Sequence, residues 1–252
     1  MILNFTKLIE IFIACDDFFI EIENLMHTQC ISDTNNLRKK RERQMSESEM
    51  MAILIFYHYS GFKCFKWYYH LIIRKWFPDY FPTAFSYNRF IQLMPELNLY
   101  MTFFMTGTRL SVPLDCNYID SKKLVVCHAR RIPGHRVHKK TAKRGKSSTG
   151  WFFGFKLHLI INHFGEIVWF GFTAGNRADN NHNLLFSIAE KLQCKLFGDK
   201  GYISKINAEL KARGLAIITK LKKNMKRKAA LTREEFYYLS HRNLIETVFD
   251  IL

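Results

Sequence analysis

One short stretch of the chain sets the tightest condition on its fold. Phe155, Leu157, Leu159 and Ile161 alternate with Lys156, His158, Ile160 and Asn162, which is the period of two that a β-strand imposes. One face of a strand over Gly154 to Ile161 is therefore apolar throughout, and a one-residue slip would turn that whole set toward water. A layer of helices is the expected cover. Asn162-His163-Phe164-Gly165-Glu166 joins this strand to another, Ile167 to Thr173, by a short Gly-containing connection of the hairpin kind. Tyr118 to Val126 reads as a strand that precedes both.

The elements that follow alternate in type. Ala174 to Asn180 is rich in turn formers and leads into a helix from Asn183 to Leu192. A short strand, Cys194 to Phe197, ends at Gly198-Asp199. Ser204 is placed to cap the next helix, which runs to Arg213 and stops at Gly214. Ala216 to Lys220 supplies a fifth strand, and a final helix occupies Arg233 to the end. Three strands, helix, strand, helix, strand, helix is an α/β order, and a mixed sheet flanked by helices of the ribonuclease H-like kind is its economical solution.

Before Pro113 the pattern is helical, with apolar residues at helical spacing in Met50 to Tyr59 and Phe90 to Leu99. Ser46 or Ser48 can cap the first of these, with Glu47 and Glu49 near its positive end. Arg38 to Arg43 form a charged bridge to the more acidic start of the chain. Two domains are expected: a mainly helical N-terminal region over 1–112 and an α/β domain over 113–252.

Charge narrows the partner. A formal net charge of +16 on 252 residues predicts attraction to a polyanion, because each Lys or Arg that neutralises a phosphate releases condensed counterions. A membrane surface is the competing polyanion, but no long amphipathic helix with one basic face is present. No apolar run reaches the roughly 18–20 residues of a membrane span, since Lys63, Lys66, Arg74 and Lys75 interrupt the most apolar stretch. Glu10, Asp16 and Asp17 spoil a signal peptide. No membrane association and a cytoplasmic location are expected. Six scattered cysteines without a C-x-x-C pair fit free thiols in a reducing compartment.

Asp120 lies inside the first strand and Asp199 at the carboxyl end of the fourth, where ligand sites of open α/β sheets gather. A third carboxylate would come from the last helix. Phosphodiester chemistry asks for such a set, because carboxylates hold the hard cations that activate an attacking oxygen and stabilise a leaving one. After Asp120 come Lys122, Lys123, Arg130, Arg131, Arg136, Lys139, Lys140, Lys143, Arg144 and Lys146, with no Asp or Glu among them. A run this one-sided repels itself and is easiest to explain opposite phosphates. Cys127, His128, His135 and His138 share the stretch, but their spacing matches no usual zinc pattern.

Six segments occur in one order: Asp120-Ser121; Val126-Cys127-His128; Ala142 to Lys146; Gly150 to His158; Leu196-Phe197-Gly198-Asp199-Lys200-Gly201-Tyr202; and Leu244 to Val248. Together they resemble DDE transposases of bacterial insertion sequences, and more narrowly those of insertion sequence family 982, over residues 117 to 252. The resemblance implies a ribonuclease H-like catalytic domain that nicks and rejoins transposon ends with two magnesium ions, manganese being an alternative. Asp120 matches the first aspartate, Asp199 the second and Glu246 the glutamate, each as catalytic residue and metal ligand.

Related families place a Tyr and an Arg before the glutamate. Tyr238, Arg242 and Glu246 sit four apart here, on one stripe of a helix, so Arg242 can orient a phosphate or pair with Glu246. Glu234 and Glu235 are the rival carboxylates. Lys200 and Tyr202 are either contacts to a phosphate and a base or a surface Lys and a packing Tyr. The implied partners are double-stranded terminal-repeat and target DNA, bound by a homodimer or larger oligomer. Family members continue past the glutamate helix, whereas this sequence stops six residues beyond Glu246. A truncated copy is therefore expected, and a catalytically defective one that only binds DNA is the alternative function.

Overall fold

The computed structural model describes residues 5–29, 44–147, 150–220 and 231–252. Two compact units divide the chain, Met1–Arg109 and Leu110–Leu252. The Arg38 to Arg43 bridge lies outside the described residues.

The first unit is helical: α1 (Phe5–Gln29), α2 (Glu47–Tyr59), α3 (Phe65–Tyr68) running into a π-helical stretch at Tyr69–Trp76, α4 (Tyr87–Leu93) and α5 (Asn98–Thr108). Ser46, not Ser48, starts α2. Its hydroxyl accepts from Glu49 N at 3.1 Å while Glu49 Oε2 accepts from Ser46 N at 2.7 Å, a reciprocal cap that satisfies two orphan donors. Cys15, Met50, Ile53, Tyr68, Ile72 and Phe90 are fully buried at the centre. The Tyr68 hydroxyl, which could not be buried unpaired, donates to Ile53 O at 3.0 Å. The helical spacing of Phe90 to Leu99 resolves into two helices rather than one. A 3-10 turn at Met94–Leu97 separates α4 from α5, because Pro95 lacks an N–H and its ring crowds the preceding turn.

The second unit is a mixed α/β structure, compatible with the ribonuclease H-like fold. Its strands are β1 (Asn117–Cys127), β2 (Lys143–Ser147), β3 (Gly150–Asn162), β4 (Ile167–Ala174), β5 (Lys195–Gly198) and β6 (Ala216–Thr219). β1 pairs antiparallel with β3 and parallel with β5, and β5 pairs parallel with β6. β4 and β2 lie end to end along the other edge of β3. The helices are α6 (His182–Ala189), α7 (Asn207–Ala212), α8 (Arg233–Ser240) and α9 (Asn243–Ile251).

Both faces of this sheet are covered, and the alternation of the strands decides which residue goes where. Tyr118, Leu159, Ile161 and Phe197 pack with Leu239, Ile245 and Phe249 of α8 and α9. Their neighbours Ile119, Ile160 and Leu196 pack with Leu185 and Ile188 of α6 and Leu210 of α7. The apolar face of β3 thus meets its helix layer, and the opposite face has one as well. Asn162 is fully buried because its side chain builds the hairpin: Oδ1 accepts from Phe164 N at 3.0 Å and Glu166 N at 3.1 Å.

Three details differ from the sequence reading. Part of the basic stretch, Lys143–Ser147, to which the sequence reading gave no secondary structure, is a strand. The helix expected to start at Ser204 begins at Asn207, since the Ser204 hydroxyl accepts locally from Ile206 N at 3.5 Å. The final helix is two helices. Ser240 Oγ donates to Tyr237 O at 2.6 Å and the His241 ring lies 2.9 Å from that same carbonyl; side chains turned back on the last carbonyls close α8 there. Among the described residues no helix is long and apolar enough to cross a membrane.

Two consequences are measurable. A Cβ on Gly154 would stand 1.9 Å from Leu124 O across the β1–β3 ladder, which forces two central strands apart. Gly154→Ala should cost more than about 3 kcal/mol in urea unfolding; a loss within the scatter of surface substitutions would contradict this pairing. His158 is fully buried, 2.9 Å from Thr173 Oγ1, and burial drives its pKa down from 6.5 to about 4, opposed by Asp179 and aided by Lys156. Between those values the unfolded chain binds the extra proton, so stability falls as pH drops from about 6.5 to about 4, by a total on the order of 3 kcal/mol. Denaturation series at pH 7 and pH 5 should show the slope, and His158→Gln should remove that part of it.

Candidate active site

The alternation that builds the core also aims Asp120. Two residues on from Tyr118, it leaves β1 on the side covered by α8 and α9, half-buried at the point where the packed core ends. Tyr118 lies opposite Phe197 in the parallel pairing of β1 with β5, so Asp199, two residues beyond Phe197, emerges level with Asp120 just past the end of β5. Asp199 is exposed, and its Oδ1 accepts from Gly201 N at 2.6 Å, capping the 3-10 turn Lys200–Tyr202. A Cβ on Gly201 would come within 2.7 Å of that oxygen. Glycine is what allows the close approach.

Arg242, at the start of α9, ties the third carboxylate to the first. Its Nη1 donates to Asp120 Oδ2 at 2.9 Å and its Nη2 to Glu246 Oε1 at 3.4 Å. The expected pairing of Arg242 with Glu246 is present, one turn along the same helix. The helix itself is fastened to β1: Ile245 and Phe249 are buried, and Lys122 Nζ donates to Phe249 O at 2.6 Å and pairs with Asp250 at 3.1 Å. Burial pushes the Asp120 carboxyl above its ordinary pKa, and the charge of Asp199 adds to the rise. The Ser121 N–H and Arg242 pull it back.

A cavity of about 470 Å³ opens beside these groups, lined by Asp199, Lys200, Lys220, Ser240 and Arg242. Lys220 was not singled out in the sequence, where it ends a strand without a motif. Asp179 was likewise read only as a turn former. It accepts from Ser121 Oγ at 2.8 Å and pairs with Lys156 at 3.0 Å, and its carboxylate faces Gly201. Nothing local in the sequence distinguishes it from Asn176 or Asn180.

Other candidates fall differently. Tyr202 is fully buried, with burial holding its hydroxyl well above the ordinary phenol pKa, so it is the packing Tyr of the two readings and offers no face to a base. Tyr238 is on α8, not on the helix of Glu246, and packs against Phe197 with the rings tilted and their centres 5.2 Å apart. The single stripe through Tyr238, Arg242 and Glu246 is thereby broken between α8 and α9. Lys122 serves α9, as above. Lys123, Arg130, Arg131, Arg136, Lys139 and Lys140 are exposed on β1 and the turns after it, and Lys143, Arg144 and Lys146 on β2. The His135 and His138 rings stack at 6.1 Å. Glu234 and Glu235 lie in the first turn of α8, where Glu235 is spent on a reciprocal cap with Thr232, and they line a different groove, away from Arg242.

The donor set suits a hard divalent cation, being carboxylate oxygen throughout. Among the described residues no three His, Cys, Asp or Glu side chains stand ready as a metal cluster; a guanidinium links Asp120 and Glu246. A family model described as a transposase DDE domain matches residues 111–252. No curated protein matches the chain.

Removing the guanidinium should be visible in the titration of its partner. Arg242→Ala deletes a positive charge and a hydrogen bond from Asp120 while leaving Asp199 in place, so the Asp120 carboxyl should titrate at a higher pH than in the parent chain. Carbon-detected NMR of side-chain carboxyls reads this directly. An unchanged or lower value would show that Arg242 does not bear on Asp120.

Proposed function

The chain belongs to the transposase DDE-domain family, and from that premise we propose that it cuts DNA at the ends of an insertion sequence and joins the freed 3′ hydroxyl to target DNA. The resemblance to insertion sequence family 982 gives the narrower membership. Asp120, Asp199 and Glu246 are the carboxylates of the site. The observation that carries the reading is the convergence itself: Arg242 holds Asp120 and Glu246, 122 and four positions away from it, next to the charge of Asp199. A cap or a solvated charge at each position would have no reason to converge.

Asp120, Asp199 and Glu246 would hold two divalent ions, magnesium or in its place manganese. Bound there, such cations supply the charge that acidifies an attacking water and stabilises a departing oxygen. The chain's own residues do the rest. Asp120, half-buried and paired with Arg242, presents its carboxylate at the edge of the core. Arg242, Lys200 and Lys220 present cations to a phosphate in the cavity, where charge-assisted hydrogen bonds fix its orientation. Asp179 is a positioning residue, holding Ser121 next to Asp120 and Lys156 across the sheet. The basic residues from Lys123 to Lys146 track the DNA backbone, and the exposed Lys63, Lys66, Arg74 and Lys75 of the helical unit support a role for that unit at the DNA ends. Two ends must be joined, so the acting form is a homodimer or larger on DNA.

Asp120→Asn keeps the size of the side chain and removes its charge. Magnesium-dependent nicking of DNA carrying the element's ends should fall far beyond the roughly 10- to 100-fold that losing a supporting hydrogen-bond partner costs. Gel-shift binding of the same DNA in chelator should stay within about threefold, because the phosphate contacts lie elsewhere. Nicking that persists in the variant overturns the assignment of Asp120. A parent chain that binds these ends and never nicks them is instead the catalytically defective form.

A further inference from the structure

We propose that the groove running from Trp151 to Gly201 is a binding site for an unpaired stretch of the DNA strand, with a base stacked on Trp151 and its phosphates on Arg144 and Lys146. The inference rests on the DNA reading above and adds the form in which the DNA is held.

The groove lies where β2 meets the loop after β4. Gly145 and Gly175 make that junction: a Cβ on Gly145 would stand 2.0 Å from Gly175 O, so the backbones touch and the side chains of their neighbours border one continuous channel. Its volume of about 530 Å³ falls within the roughly 300–1,000 Å³ of pockets that enclose small ligands. At one end stands Trp151, 72 % exposed on β3, with Lys146 opposite it on β2 and the ammonium 5.9 Å from its ring centre. At the other end stand Asp179 and Gly201, and the Gly201 N–H is the one that donates to Asp199.

The charge along the channel is lopsided. Arg144, Lys146, Lys156 and Arg177 line it against one carboxylate, Asp179, which is already paired with Lys156 at 3.0 Å. Three cations therefore face the channel without a carboxylate among its lining residues. Cations set beside an exposed aromatic ring are how sequence-tolerant single-strand sites are built, the cations following phosphates and the ring taking a base. A duplex cannot use Trp151 this way, because the faces of its bases are spent on each other and only edges and phosphates are offered outward. An exposed Trp in a wholly backbone-reading surface would have nothing to hold. Because the channel ends beside Asp199, a strand lying in it reaches the carboxylates already separated from its complement.

The test uses the whole chain in chelator, so that no cleavage occurs, with a fluorescein-labelled oligothymidylate of fifteen nucleotides (~15, within single-strand site sizes) as the probe and a duplex of the same length beside it. Trp151→Ala should weaken oligothymidylate binding by about 10- to 100-fold, the usual cost of one lost base–aromatic stack. Trp151→Phe should keep it within about threefold of the parent, and the duplex should change by less than about twofold with either variant. Equal losses on both DNAs, or no loss on the single strand, overturn the proposal. Since neither measurement involves cleavage, failure here leaves the Asp120→Asn result standing, and failure of that result leaves this one standing.

Discussion

The central strand β1 is covered on both faces up to Ile119 and then is not. That transition governs the second unit. Tyr118 and Ile119 go to opposite helix layers, which locks the register of β1 against β3 and β5 and leaves no freedom in where residue 120 emerges. A carboxylate inside such a core would be prohibitively costly to ionise; one residue past its edge, it is half-buried, perturbed and reachable. β5 obeys the same rule, with Leu196 and Phe197 buried on opposite faces and Asp199 just outside. The acidic pair is placed by hydrophobic packing, and no polar contact between its members is needed to bring them level.

Packing of this kind fixes positions along strands but does little for a residue on a helix surface. Glu246 therefore depends on a different set of forces. Ile245 and Phe249 seat α9, Lys122 ties its far end to β1, and Arg242 holds Glu246 at its near end. The break between α8 and α9 matters here, because a continuous helix from Arg233 would have carried Tyr238 and Arg242 on one rigid stripe. With the break, Tyr238 packs on Phe197 while Arg242 turns to Asp120. The local competition of Ser240 and His241 for the carbonyl of Tyr237 is thus what frees the arginine to join two carboxylates.

What could be read from the residues follows the same division. Strand alternation in Phe155 to Asn162, the hairpin at Gly165 and the placement of Asp120 within a strand and Asp199 at a strand end depend on nearest neighbours, and they were legible. The i, i+4 spacing of Arg242 and Glu246 was legible as well, although the bond from Arg242 to Asp120 was not, since it spans the sheet. Lys143 to Ser147 hid its strand because its charges leave no apolar alternation to read, and only Gly145, needed where two backbones touch, marks it. Tyr202 closely follows Asp199 in the chain and looked functional, yet its burial against α6 and α7 is a tertiary fact. Asp179 sits in a string of turn formers whose composition conceals which member points at Ser121.

The two sides of the sheet divide the work of charge. On the side of α8 and α9, three carboxylates gather around one arginine, and burial raises the Asp120 pKa, with the charge of Asp199 adding to the rise against the pull of the Ser121 N–H and Arg242. Around β2 and the loop after β4 the surplus is positive, with Arg144, Lys146 and Arg177 lining one channel. A polyanion binding the second region brings its phosphates toward the first, where they would be repelled unless cations stand between. On the proposed function, cations held at Asp120 and Asp199 would offset that repulsion, and binding of nucleic acid and of metal would be coupled through electrostatics before any bond is broken.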